Sequence, residues 1–125
     1  MSWIWINGHW TEDTRPVISV KDRGFLYGDG IFETLRAYDG EVFQLREHWE
    51  RLSASAAFFR IPVPATLEQM GEVIARLLRN NGHVDAVVRM TLSRGASSPG
   101  LALDGPVEPN LIVQSRTYKP FPTRI

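Results

Sequence analysis

Two dipeptides constrain this chain more than anything else in it: Asn7-Gly8 and Asp39-Gly40. Each lies between short runs rich in β-branched and aromatic residues, and each supplies the positive φ angles that a two-residue hairpin turn requires. Trp3–Ile6 with residues 9–11 is therefore one predicted hairpin, and residues 31–38 with 41–44 a second. Residues 16–20 read as a further short β-branched strand. Residues 84–93 and Asn110–Thr117 read as two more, separated by RGASSPGLALDGPVEP, a connection rich in Gly, Pro and Ser.

The middle of the chain has a different period. Leu45, Trp49, Leu52, Ala56 and Phe59 recur at helical spacing until Pro62 ends the pattern. Leu67, Met70, Ile74, Leu77 and Leu78 repeat it between a candidate N-cap at Thr66, with Gln69 three residues on, and a stop at Asn81-Gly82. Strands, two helices, then strands predict an α+β domain: a largely antiparallel β-sheet with two amphipathic helices packed on it. At 125 residues this is one domain, long enough to bury a sizeable core.

Composition narrows the function classes. Formal net charge is zero and the arginines are dispersed, so no electrostatic footprint for nucleic acid or an anionic membrane is present. No apolar run reaches membrane-spanning length, and MSWIWINGHWTED lacks the basic leader and apolar core of a secretory signal, so the expected compartment is the cytoplasm. With no cysteine there are no disulfides or thiolate metal sites, and His9, His48 and His83 have no metal-like spacing. Only two of the fourteen basic residues are lysines, Lys21 and Lys119, so lysine chemistry has two candidates.

Several residues invite a chemical reading beside a plain one. In DRGFLYGDGIFETLRAYDG, glycines 24, 28 and 30 precede a strand. They provide either a flexible turn or a bare backbone against which something lies. Arg51 is either a surface arginine paired with Glu47 one helical turn earlier or a guanidinium that clamps a phosphate. Arg36 and Arg89 sit inside apolar strands, where each either points to solvent or helps hold a substrate carboxylate, with Glu33 a partner for either. His48 beside Trp49 reads as a helix-surface or packing residue. Ser93 with the SRGASSPG loop could form a nest of backbone N–H groups, though such loops are commonly only loops.

Together these residues resemble a known family. GFLYGDGIFETLRAYDGEVFQLREHWERLSASAAFFRIP is similar to the N-terminal signature of the class IV aminotransferases, pyridoxal-phosphate enzymes that include branched-chain aminotransferases, D-amino acid aminotransferases and aminodeoxychorismate lyase. The likeness runs through YGDG, FE, Arg36, Asp39-Gly40, His48-x-x-Arg51-Leu52 and Ser55-Ala56, and continues into VVRMTLSRGASSPGL. The resemblance implies that Arg51 holds the cofactor phosphate, that Tyr27, Phe32 and Arg36 line the substrate side of the pocket, and that Arg89 helps position a substrate carboxylate. It also implies a homodimer with active sites near the dimer interface, and a turn at glycines 28–30 that brings residues 31–38 to the rim of a cleft.

Departures from the family pattern set further expectations. Members are about twice as long, and their second domain carries the Schiff-base lysine, the acidic partner of the pyridine nitrogen and most of the phosphate cradle. Residues 1–118 then form the N-terminal α+β domain and 119–125 the start of an interdomain linker, with the cofactor domain absent from this chain. Neither Lys21 nor Lys119 matches the catalytic position, so no catalytic residue is assigned and the chain alone is expected to be inactive. Pro99 in Ser98-Pro99-Gly100 stands where lyases and D-amino acid enzymes tend to carry a basic residue, whereas Met90 replaces the proline usual in the branched-chain type. A branched-chain or related aminotransferase is the favoured reading, with the lyase and the D-amino acid enzyme as alternatives. A non-catalytic stand-alone binding or dimerisation module is a further alternative, although the ending RTYKPFPTRI points instead to a fragment or a parent chain cut at the linker.

Overall fold

Both dipeptides make the turns their chemistry dictates. In the computed structural model, which describes residues 2–96 and 107–118, Asn7 and Gly8 have φ of 50° and 88°, and Asp39 and Gly40 have 55° and 79°. Strand β1 (Trp3–Ile6) runs back against β2 (His9–Glu12), and β3 (Gly30–Tyr38) against the two-residue β4 (Glu41–Val42). With β5 (Ala86–Ser93) and β6 (Asn110–Thr117) they form one six-stranded sheet in the order β2-β1-β6-β5-β3-β4, every pairing antiparallel.

The pleat gives the sheet two chemically distinct faces. Leu35 and Ala37 of β3, Val88, Met90 and Leu92 of β5, and Leu111 and Val113 of β6 point one way and are fully buried. They are covered by α2 (Leu45–Phe59), through Trp49, Leu52 and Ala56, and by α3 (Leu67–Asn81), through Met70, Val73, Ile74, Leu77 and Leu78. Truncating one of these fully buried large side chains to alanine costs about 2–5 kcal/mol. Helix α3 is capped as its sequence predicts: the Thr66 hydroxyl accepts from the Gln69 N–H at 3.1 Å, and Gly82 closes it in the left-handed conformation. Helix α2 ends before Pro62, at Arg60, which takes φ of 58°.

Two segments differ from expectation. Residues 16–20 form no strand, and Val17 and Val20 are largely exposed. Their β-branched composition finds no partner strand to pair with. The glycine-rich stretch is a short helix, α1 (Arg23–Tyr27), rather than a simple turn: the Asp22 carboxylate caps it by accepting from the Phe25 N–H at 3.1 Å, and Gly28 ends it at φ 68°. A β-carbon on Gly24 would lie 2.8 Å from that of Ser93, and one on Gly30 would lie 2.8 Å from the Leu92 carbonyl oxygen. Those two glycines are bare because β5 lies against them.

A polar knot fastens this corner. Asp29 accepts from Arg23 Nε at 3.1 Å and Arg94 Nε at 2.7 Å, and both arginine side chains are almost fully buried. Arg94 also donates to the carbonyls of Phe59 and Arg60, satisfying the C-terminus of α2. The buried Asp22 carboxylate accepts from the Ser93 hydroxyl at 2.7 Å and from the Asn110 amide. These bonds lock α1 and the start of β3 to the ends of α2, β5 and β6.

Candidate functional site

The face of the sheet opposite α2 and α3 carries the unusual side chains. Alternation along β3 puts Phe32, Thr34 and Arg36 there. The register places Thr91 opposite Phe32, Arg89 opposite Thr34 and Val87 opposite Arg36. The Arg89 guanidinium carbon sits 4.0 Å over the Phe32 ring, and the pair borders a cavity of about 530 Å³ enclosed by this face, α1 and residues 18–20. The cavity wall is mostly apolar, with Ile18, Val20, Phe25 and Ile112 contributing, and among the described residues no carboxylate forms an ion pair with Arg89.

The other expected residues are distributed around this pair. Arg36 shares the open face but stands about 13 Å along β3 from Phe32, with its guanidinium 4.0 Å over the Tyr118 ring. Tyr27 ends α1, about half exposed, with Arg23 4.7 Å over its ring. Neither lines the cavity.

Arg51 belongs to the opposite side. It projects from α2 and meets Glu33, whose parity on β3 matches Ile31 and Leu35 rather than Phe32. Nε approaches the two carboxylate oxygens at 3.2 and 3.0 Å, and Nη2 approaches Oε1 at 2.7 Å. The pairing of Arg51 with Glu47 does not form, and Glu33 pairs with neither Arg36 nor Arg89. A strand carboxylate on the helix-covered face offers two planar acceptors at short range, and a flexible surface glutamate does not compete with it.

His48 joins the same cluster, its Nδ1 at 2.6 Å from Glu33 Oε1, so it is a hydrogen-bonding residue rather than a packing one. Burial opposes the charge on Glu33, but hydrogen bonds from Arg51 and His48 outweigh it and hold the carboxyl below its ordinary pKa. The same carboxylate keeps the Arg51 guanidinium more firmly protonated.

This cluster and the Asp29 knot are what sequence reasoning missed. The signal was there for Glu33: it is an acidic residue at the parity of Leu35 and Ala37, and a carboxylate on a covered face demands partners. Ser93 donates to Asp22 rather than opening onto an anion nest. Residues 97–106, with Ser98-Pro99-Gly100, lie outside the described residues, as do Lys119 and 119–125. His83 contacts Ser115 Oγ at 2.9 Å, and Lys21 is exposed before α1. No helix among the described residues is long and apolar enough to cross a membrane.

Comparison with known proteins gives this arrangement relatives. Residues 30–125 match the family model described as amino-transferase class IV. A protein of Methanocaldococcus jannaschii provisionally named a branched-chain-amino-acid aminotransferase is 45% identical over 98 residues, 78% of this chain and 34% of that protein. A D-alanine aminotransferase of Staphylococcus epidermidis is 34% identical over 119 residues, 94% of this chain and 42% of the relative. Among solved structures, the branched-chain amino acid aminotransferase of Escherichia coli superposes with a TM-score of 0.88 at 26% identity, over 96% of this chain and 41% of that one. The chain thus spans less than half the length of each.

Proposed function

Because this chain belongs to the class IV aminotransferase family, we propose that it is the substrate-side domain of a pyridoxal-phosphate-dependent aminotransferase, one that passes an amino group between a branched-chain or related amino acid and a 2-oxo acid. In this reading residues 1–118 are the N-terminal domain, 119–125 begin a linker, and a C-terminal domain supplies the reacting lysine. The complete protein works as a cytoplasmic homodimer.

One observation carries the proposal. Arg89 presents a charged planar fork, without an ion-pair partner among the described residues, at the mouth of an apolar cavity. A carboxylate matches that fork with two parallel hydrogen bonds, and Phe32 and the apolar wall suit an aliphatic side chain. The fork stands on a central strand, so the carboxylate it binds is held in one place. Arg36, farther along the same face, and Tyr27, at the end of α1, extend the substrate wall.

Arg51 fits the phosphate end of the cofactor. Its side chain is 66% exposed, and Glu33 takes only its Nε/Nη2 edge. The Nη1/Nη2 edge stays available to phosphate oxygens. When bound, the cofactor supplies the electron sink that lets an amino acid lose its α-proton. This chain contributes placement: Arg51 anchors the phosphate and Arg89 the substrate carboxylate.

A second reading has its own support. Arg116 faces Val87 across β5·β6 just as Arg36 does across β3·β5, so the open face carries a third guanidinium, which suits the dianionic substrate of an aminodeoxychorismate lyase. The complete protein, offered a branched-chain amino acid with 2-oxoglutarate, is expected to form glutamate. Release of 4-aminobenzoate and pyruvate from aminodeoxychorismate without glutamate formation would make it the lyase, and preference for D-alanine would make it the D-amino acid enzyme. Arg89→Met should raise KM for amino acid donors and lower kcat as well, because a loosely held carboxylate misorients the α-proton.

A further inference from the structure

Arg51 leaves a helix surface where nothing but another side chain could fix its direction. An exposed arginine has many rotamers to lose, so a guanidinium waiting for a phosphate is a poor anchor unless something holds it in advance. Here something does. We propose that Glu33 is the positioning residue of the Arg51 anion site, with His48 holding Glu33, an inference that rests on the phosphate-binding reading of Arg51.

The geometry makes a chain of three groups. Glu33 is rooted in β3, and its side chain is only 11% exposed. Its two oxygens take Arg51 Nε and Nη2 side-on, which fixes the guanidinium plane as well as its direction. The opposite edge is then aimed outward as a preformed acceptor for two phosphate oxygens. His48, one helical turn before Arg51, donates from Nδ1 to the same Oε1 at 2.6 Å. That assignment explains its 3.3 Å approach to Arg51 Nη2, where two donors meet at a shared acceptor rather than bonding each other. Neutral and protonated imidazole can both donate from Nδ1, so the arrangement does not depend on the charge of His48.

Glu33 also sets the local charge. Its carboxylate neutralises one guanidinium before any ligand arrives, so the site gains strength from direction rather than from added positive charge. A dianionic phosphate binds there only because the free edge is rigidly presented. Replacing Glu33 by an uncharged isostere raises the net positive charge of the site yet loosens Arg51. Simple electrostatics predicts tighter phosphate binding for such a variant, whereas positioning predicts weaker binding.

The test uses the complete protein and two ligands, pyridoxal 5′-phosphate and pyridoxal, whose dissociation constants are read by absorbance titration for the wild type, Arg51→Ala, Glu33→Gln and Glu33→Asp. Glu33→Gln is expected to weaken binding of the phosphorylated ligand about tenfold, the scale on which supporting residues act through the group they orient, and to leave pyridoxal affinity unchanged. Glu33→Asp, which keeps the charge but falls a methylene short, should lie between. If Glu33→Gln does not fold, the loss in Glu33→Asp relative to pyridoxal decides the matter. Arg51→Ala weakening the phosphorylated ligand while the Glu33 variants bind it as tightly as wild type, or more tightly, overturns the positioning role and leaves Arg51 as the clamp. If Arg51→Ala itself binds normally, the phosphate reading fails and the positioning role with it.

Discussion

Asp29 lies just before β3 and Glu33 within it, and each grips arginine, yet the two clusters do opposite work. Around Asp29 the bases are inside: Arg23 and Arg94 expose 4% and 5% of their side chains, and Arg94 goes on to bind the end of α2. Around Glu33 the acid is inside and the base is out, with Arg51 66% exposed. A guanidinium enclosed on all sides can only hold structure together. One tethered by a single edge and wet on the other is left with donors for a ligand. Solvent access, not pairing, separates the structural arginine from the candidate functional one.

The largest effect that would sharpen this contrast belongs to Asp29→Ala. It removes the carboxylate partner of two buried guanidinia, and breaking buried pairs typically costs about 3–5 kcal/mol. Denaturant midpoints should fall accordingly, and a variant as stable as wild type would break the distinction. Next comes the pair of arginines. Arg94→Ala should destabilise the fold more than Arg51→Ala, which leaves Glu33 its bond to His48, whereas in the complete protein Arg51→Ala should weaken pyridoxal phosphate binding roughly tenfold or more, since bonds to charged groups are the strong ones. The reverse pattern would exchange their roles.

Acid probes both carboxylates in one titration. Burial opposes charge on Asp29, but hydrogen bonds and attraction from Arg94 and Arg23 prevail, and its pKa is lowered from 3.8. Glu33 is likewise lowered from 4.5. A depressed folded pKa means that the native state binds fewer protons than the unfolded chain. The stability gained is full above those ordinary values and drains away as pH falls through the lower folded ones. Unfolding midpoints of wild type and Asp29→Asn should therefore differ most near neutrality and converge in acid. The smallest expected effect is from Glu47→Ala. Arg51 answers to Glu33, so stability should stay within about 0.5 kcal/mol of wild type, and a clear loss would revive the helical pair.

Much of the scaffold was legible because it rests on local rules. Asn7-Gly8 and Asp39-Gly40 admit few backbone conformations other than tight hairpins, and the Leu45–Phe59 and Leu67–Asn81 periods needed only counting. Residues 16–20 misled because β-branched composition favours a strand only when a neighbour exists to pair with, and that is decided by distant chain. Glycines 24 and 30 were noticed, but what they touch is β5, which no local pattern reveals. For the site, strand parity put Arg36 and Arg89 on one face. Parity also carried Glu33 to the opposite face, and the partner it found there on α2 depends on how helix and sheet dock. Arg51 could be singled out from its residues and Glu33 by its parity, but that the two would meet could not.

The strand order has a consequence for how the protein is made. Strand β1 emerges first from the ribosome and β6 last, yet they are neighbours: Asn7 and Leu111, 104 positions apart, exchange hydrogen bonds of 2.8 and 2.9 Å. Translation at about 5–20 residues per second keeps the first hairpin waiting on the order of 5–20 s for its partner. A two-stranded hairpin is marginal in water by itself. Through that interval Trp5 and Trp10, which the finished protein packs into or against its core, are exposed on a nascent chain, and that is where a chaperone would find them.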